Sequence, residues 1–495
     1  MKRFLFPLLT VLCVLLPGSA YPQAGDDFGF GASDGEGFGF GGADDSVSPA
    51  ASSALSGVAI GGSVSAEFPV FIDDFGSWAA INAAELGDVF SGALNFSVSG
   101  AAADAVINLN LAPTDSPVSV DEAYARAYFG PVDVEGGLRK LAWGRADSFG
   151  PLDVINPLDY SDPTAISDPM ALKLARPMAH LSWNIGSFSK LEGVFVPGFQ
   201  AHRFALDGRW EPSQITGLAS SVAEGLKSGL KQNPNVPPAA LQDFENKLDE
   251  WKEKFNKENP NYYWSDNSSL QYAQAGVRFT SSIGSSDIGA QYYYGRLPRP
   301  ALNIGFEGLV GQAGLDTDKI HISMDYNSYH QIGVDYARVI ADFNTRAEAA
   351  LNITEDLEGD RPDIYNPSAA WSLGFDRDIV AGINVNLQAV ETIRLFHDKV
   401  GDNLMAIDTE AEKDLTATRL TLILSKKFFR DKLELRGVGL WDIEKTGFLV
   451  MPGVIYSDND VSVELHCGFF GGEKDGDLGQ YRDNHFVKTI LTYSF

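Results

Sequence analysis

Arginines that recur on one side of strand-length segments are the residues in this chain best placed to act on a solute. Arg126 stands between Tyr124 and Tyr128. Arg139, Trp143 and Arg145 share one face of their segment, as do Arg176 and His180. Arg278, Arg338, Arg346, Arg394, Arg419 and Arg436 follow, with Glu348, Glu434 and Glu464 as acidic counterparts on polar faces. Guanidinium groups around a wet passage screen what crosses it, and the same groups paired with carboxylates stiffen a wall. The spacing admits both roles, and the structural one is the default for any single side chain. Arg126, Arg139, Arg145, Arg176, Arg346, Arg394 and Arg436 are the lumen candidates.

Bond-making chemistry has no comparable footing. The 7 histidines are scattered and form no His-Glu-x-x-His pattern. There is no Gly-x-Ser-x-Gly elbow and no phosphate-cradling Gly-Lys-Ser/Thr loop. Of the two cysteines, Cys13 lies in the leader described below, and Cys467 alone makes neither a disulfide nor a zinc site. The expectation is a non-enzyme with no cofactor and no metal, although a site assembled from distant residues escapes such a scan. The formal net charge of -28 argues against a nucleic-acid partner, which needs a basic face. In a pore it would attract cations; solvated acidic loops account for the same excess.

The elements that must position these residues begin after an export leader. Lys2 and Arg3 precede an apolar run from Phe4 to Leu16, interrupted by Pro7 and Thr10 and broken by Pro17 and Gly18. This is a secretory signal peptide over residues 1–24, ending at Ala20 or Ala24 and too short to span a membrane stably. Acylation of Cys13 is disfavoured, because Thr10-Val11-Leu12 lacks the small residues a lipoprotein site uses. Residues 25–54 repeat Phe28-Gly29-Phe30-Gly31 and Phe38-Gly39-Phe40-Gly41 among many acids. Such a stretch cannot pack a core and reads as a disordered periplasmic tail. A Gly/Asp calcium repeat would need a regular nonapeptide spacing that is absent.

From residue 55 to the end, segments with a two-residue period recur. Leu94, Phe96 and Val98 alternate with Asn95, Ser97 and Ser99, and Ile107, Leu109 and Leu111 with Asn108 and Asn110. Phe343, Ala347, Ala349, Leu351 and Ile353 oppose Asn344, Arg346, Glu348 and Asn352. Ile383, Val385, Leu387 and Ile393 oppose Asn384, Asn386, Gln388, Thr392 and Arg394. Val461, Val463, Leu465, Cys467 and Phe469 oppose Ser462, Glu464 and His466. Alternate side chains face opposite sides of a sheet. An arginine facing lipid at mid-membrane would cost about 2–4 kcal/mol, so Arg346 and Arg394 mark the wet side. Glu391 breaks the pattern and marks a strand end or a bulge.

Tight-turn signals at Gly186-Ser187, Gly284-Ser285, Asp376-Arg377-Asp378, Arg430-Asp431 and Asp458-Asn459 alternate with long polar stretches at 146–171, 210–268, 297–317, 355–366, 398–413 and 471–484. Short turns at one end and long loops at the other describe a membrane barrel rather than a soluble sandwich. The expected fold is an all-β antiparallel transmembrane barrel over residues 55–495, with about 18 strands (about 14 at the fewest), an even number, and both termini at the short-turn end. Residues 329–353 form one strand or two, and 200–209 is an uncertain strand.

Residues 214–256 depart from this period. Ile215, Leu218, Val222, Leu226 and Leu230, then Leu241, Phe244, Leu248, Trp251 and Phe255, recur every three or four positions on either side of Pro234, Pro237 and Pro238. An amphipathic helical hairpin in an outer loop is expected, its stripes buried on each other, on the barrel mouth or on lipid.

The final segment, His485 to Phe495, places Val487, Leu491, Tyr493 and Phe495 on one face and Lys488, Thr492 and Ser494 on the other. It resembles the C-terminal strand read by the outer-membrane barrel-assembly machinery, with Tyr493 and Phe495 as the signal. Trp143-Gly144 followed by Asp153-Val154-Ile155-Asn156-Pro157-Leu158-Asp159, together with Gly479-Gln480-Tyr481 before the terminal strand, resembles a family of large, porin-like outer-membrane proteins of Gram-negative bacteria and spirochaetes. The resemblance is confined to these short blocks. It implies a barrel in the cell outer membrane, with membrane lipid and the assembly machinery as partners, that passes small solutes; it supplies no catalytic residue. Fatty-acid-transporter-like uptake of hydrophobic solutes through a plugged barrel, and a surface adhesin, are the alternatives. Trp143 reads as an interfacial anchor. Asp153, Asn156, Pro157 and Asp159 read as a structured loop, either a surface turn or a constriction folded into the lumen.

Overall fold

The computed structural model describes residues 57–72, 81–83, 89–113, 116–166, 168–206, 208–212, 217–232, 236–258, 267–307, 309–311, 314–400, 406–407, 409–410 and 413–495. The leader and the Gly/Asp-rich tail lie outside the described residues, as does part of the helical loop.

One antiparallel sheet of 19 strands dominates. Setting aside the three-residue strand Ile81–Ala83 leaves eighteen. They are β1 Ala59–Ile72, β2 Phe90–Ser99, β3 Ala103–Leu111, β4 Val118–Phe129, β5 Val132–Arg139, β6 Arg176–Ile185, β7 Ser189–Val196, β8 Gln274–Ile283 and β9 Ser286–Arg296. The second half comprises β10 Ser328–Ile340, β11 Phe343–Thr354, β12 Ser368–Ile379, β13 Ile383–Arg394, β14 Thr416–Phe428, β15 Leu433–Asp442, β16 Gly447–Asp458, β17 Val461–Gly471 and β18 His485–Ser494. Each pairs with its neighbour in the chain, and the last pairs with the first from Ser63↔Ser494 to Ile72↔His485. No sheet edge remains, which is the arrangement a spanning sheet requires. Across the seam Lys488 meets Glu67 at 2.6 Å.

The period-two pattern sorts the faces as expected. Ile332 and Val334, Leu422 and Leu424, Val463 and Leu465, Leu491 and Tyr493 are exposed on the outer face. Gln331, Asp335, Glu348 and Gln388 point inward and are buried. A soluble protein does not leave so extensive an apolar surface bare; lipid is its natural cover. Residues 329–353 form two strands, β10 and β11, which turn at Ala341 and Asp342, both at positive φ. The 376–378 turn is corrected: β12 runs on to Ile379, and the chain reverses at Val380–Gly382. Asp376 is held in the strand by Arg346 at 2.6 Å. The described residues of 200–209 add no wall strand; among them only Arg203–Phe204 pairs, with Asp159–Tyr160.

Glu391 is neither at a strand end nor in a bulge. Its register with Trp371 and Thr418 is continuous, so it lies on the outer face near the long-loop rim. Arg338 also faces outward. It shares its side of β10 with the exposed Ile332 and Val334, two residues from the strand's end, where a long side chain can reach water past an apolar face.

The hairpin forms as helices α1 Leu218–Gln232 and α2 Pro238–Glu258. Leu218, Val222, Leu226 and Leu230 pack with Phe244 and Leu248, and both stripes close on Ile304, Leu309, Leu315 and Ile320. The last four come from the 297–327 loop, whose ribbon Ala301–Gly305 with His321–Asp325 also pairs with Ala406–Ile407. Two outer loops thus share one small core, and a third pairs with its ribbon.

Candidate functional site

The loop between β5 and β6, residues 140–175, folds into the lumen. Leu152 and Ile155 have no exposed surface, although Asx and proline residues surround them in sequence. Gly144 makes the inward turn at φ 98, a region that favours glycine. The next residues then aim their backbone N–H groups at the far wall. Glu348 accepts from Arg145, from Ala146 at 2.8 Å and from Leu152 at 3.4 Å. Gln388 accepts from Asp147 at 2.9 Å and Ser148 at 3.0 Å and donates to the Phe149 carbonyl at 2.9 Å. Gln331 donates to the Pro151 carbonyl and Gln291 to that of Leu152, both at 2.9 Å. Side chains of β9, β10, β11 and β13 therefore satisfy the backbone of 145–152, which would otherwise be buried at a cost.

Ion pairs flank this grip. Asp335 binds Arg145 Nε at 2.6 Å and Arg278 at 2.7 Å. Arg346 binds Asp147 of the loop and Asp376 of the wall. Further round, Glu135 holds Arg126 at 2.6 Å and also Arg139, while His180 sits 3.3 Å from both Glu135 and Glu192. The belt runs from β4 to β12 with its charges paired, so little of it is left as a bare selectivity ring.

On the opposite side the grip is apolar. Ile166 and Leu172 of the loop pack on Ile423, Val438, Leu440, Leu449, Met451, Phe470 and Phe486, all on the inner face of β14–β18, with Trp210 inserted among the aromatics. Trp143 is corrected from an interfacial anchor: it is 3 % exposed, inside a cluster with Ile155, Met178, Val194 and Tyr293. Gly276 makes its slot, since a Cβ there would come within 2.8 Å of both the Trp143 and Tyr293 rings.

The third sector is bare. Between Val89 and Glu135 no described residue is buried, so the inner faces of β2 and β3, with Asn95, Ser97, Asn108 and Asn110, stay accessible beside the loop; on β4, Glu122 accepts the Lys140 N–H at 2.8 Å.

The loop motif serves as an internal strut. Asn156, 4 % exposed, accepts from Leu141 N–H at 2.8 Å and donates to the carbonyls of Arg139 and Leu174 at 3.0 and 2.8 Å. Asp153 pairs with Lys173 at 2.7 Å, the Pro157 carbonyl accepts from Leu174, and Asp159 holds Arg203 at 3.1 Å. Arg176 is a clamp, donating to the Ile155 and Gly198 carbonyls. Arg394 sits at the mouth with Glu410 at 3.0 Å. Arg436 faces inward on β15 beside Val438, Met451 and His466. Tyr493 and Phe495 lie outside on the closing strand, where Phe495 exchanges backbone hydrogen bonds with Gly62 at 2.9 and 3.0 Å.

The glutamines, Asp335 and the apolar inner wall escaped the sequence reading as site residues. One signal was available: Phe448-Leu449-Val450-Met451 is apolar at consecutive positions, as a strand is when both its faces are dry. Among the described residues no cluster of three or more His, Cys, Asp or Glu could hold a metal.

No family model and no curated protein matches this chain. Solved structures do. A Salmonella typhi OmpF complex with daunomycin aligns at 7 % identity and TM-score 0.39, covering 88 % of this chain and 97 % of that one. The Acinetobacter baumannii outer-membrane channel DcaP aligns at 10 % and 0.39, over 89 % and 99 %. A mutant of the Rh. blastica porin aligns at 10 % and 0.36, over 88 % and 100 %. The closed barrel of this chain rests on its own strand register.

Proposed function

We propose that this chain is exported behind its 1–24 leader, inserted by the barrel-assembly machinery through the Tyr493/Phe495 strand, and works in the outer membrane as a porin-like channel for small solutes, without catalysis. The observation that carries the reading is the one-sided seating of the 140–175 loop. It is bonded to β8–β13 and packed on β14–β18, while the polar wall of β2 and β3, with Asn95, Ser97, Asn108 and Asn110, remains wet. A constriction built this way narrows a passage along one wall, and the side chains of that wall then meet the permeant. The hydrophobic-uptake alternative drew on the helical hairpin, but its apolar stripes are occupied by the core they share with the 297–327 loop.

Full-length protein, shown to be folded by its heat-modifiable gel mobility, should give discrete single-channel conductance in planar bilayers. Folded protein that stays silent across salts, solutes and voltages overturns the channel.

A further inference from the structure

At the long-loop rim, a cavity of about 290 Å³ opens among the ends of β11–β14 and the 197–273 and 297–327 loops; His202, Arg299, Thr354, Tyr365, Thr392 and Arg394 line it. Among the described residues its cations outnumber its carboxylates. Glu410 is engaged by Arg394 at 3.0 Å and by the Asn366 N–H at 2.9 Å. Arg299 and Lys413 lie 4.3 and 4.4 Å from the Tyr365 ring centroid, and among the described residues neither has a carboxylate within ion-pairing distance. The Thr354 hydroxyl is buried in the same wall with no hydrogen-bond partner. Leu297, Pro298 and Ala417 add an apolar side.

We propose that this cavity binds a small organic anion, a carboxylate with an apolar body of about one ring. The carboxylate would pair with Arg299, which lines the cavity, the Thr354 hydroxyl would donate to it, and the ring would rest on Leu297 and Ala417, while Lys413 stands behind Tyr365, donating to its hydroxyl at 3.4 Å. Guanidinium and ammonium groups recognise carboxylates by charge-assisted hydrogen bonds, and the volume falls at the small end of ligand pockets, about 300 Å³. The ammonium of Lys413 is pushed down by burial and by the neighbouring Arg299 and Arg394, the direction expected where cations outnumber anions. Burial and Arg299 push His202 down to about 3, which leaves its ring neutral and able to accept the Leu158 N–H at 2.9 Å. Among the described residues, then, the local charge is opposite in sign to the overall charge of -28. The site deepens the channel reading by naming a solute class, and its binding step can be measured without transport.

The test is calorimetric titration of the detergent-folded full chain with benzoate, benzyl alcohol and benzylammonium. Benzoate should bind, and the neutral and cationic probes should bind at least about tenfold more weakly, since one charge-assisted hydrogen bond is worth about that factor. Arg299→Gln, an exposed loop position, should weaken benzoate about tenfold, and Thr354→Val by a smaller factor. Equal binding of benzylammonium, no benzoate heat with folded protein, or unchanged affinity in Arg299→Gln overturns the site. Benzoate binding in a protein that shows no conductance overturns the channel reading and leaves the site standing; conductance without benzoate binding does the reverse.

Discussion

Two sides of the lumen hold the same loop by different physics. On β8–β13 the grip is polar: carboxamides, Glu348 and Asp335 bond to the backbone and to Arg145. On β14–β18 it is apolar packing around Leu449 and Phe470. The polar contacts are directional and fix where the backbone lies, but each replaces a bond to water and adds little net stability. The apolar contacts are permissive in direction and supply the larger net free energy through surface removed from water. Position and strength are thus assigned to opposite walls, and the inner faces of β2 and β3 are left to solvent.

The strongest way to break this comparison is to remove what both walls hold. Replacing residues 143–172 by a short Gly/Ser linker should raise single-channel conductance several-fold with the barrel still folded by heat-modifiable mobility. Unchanged conductance would mean the loop does not constrict. Glu348→Ala and Leu449→Ala separate the two grips. The first leaves three N–H groups without their acceptor and should cost about 3 kcal/mol or more, at about 1–3 kcal/mol each. It should appear as current noise, because the loop's position is lost. The second should cost about 2–5 kcal/mol as a cavity, visible as a lower urea midpoint with quiet currents. If both variants change the same observable, the division between walls is wrong.

Asn95→Trp, on the bare sector, should lower conductance by about half by narrowing the wet side, whereas a tryptophan at the outward Val98 should not. The smallest effect is expected from pH. In the loops His202 is held down to about 3, against an ordinary value near 6.5 once the contact opens. The opened state therefore binds a proton that the closed state refuses. Loop seating is at full strength above about pH 6.5 and weakens progressively as pH falls toward 3. Currents should grow noisier at pH 4.5 than at pH 7.5, and His202→Gln, which keeps a neutral acceptor, should flatten that dependence.

Much of the wall was legible in the sequence because strand alternation is local. Arg346, Glu348, Gln388 and Glu464 could be assigned to the wet side from their immediate neighbours, and Leu465 and Tyr493 to the lipid side. The exceptions lie where a local rule has two readings. Arg338 falls on the outer face close enough to a strand end to reach water, and the apparent turn at Asp376–Asp378 is a strand because Arg346 holds it.

Length, period and turn chemistry determined a closed antiparallel barrel with long loops at one end and the order of its strands, since each strand pairs with the next one in the chain. Only the tertiary structure decided that the Trp143–Asp159 segment turns inward and which wall it leaves bare. That choice joins Arg145 to Asp335, Ala146 to Glu348 and Asp147 to Gln388, partners some two hundred residues apart. No sequence period connects such groups; they meet because closing the sheet puts their strands around one lumen, where a buried backbone must find its hydrogen bonds.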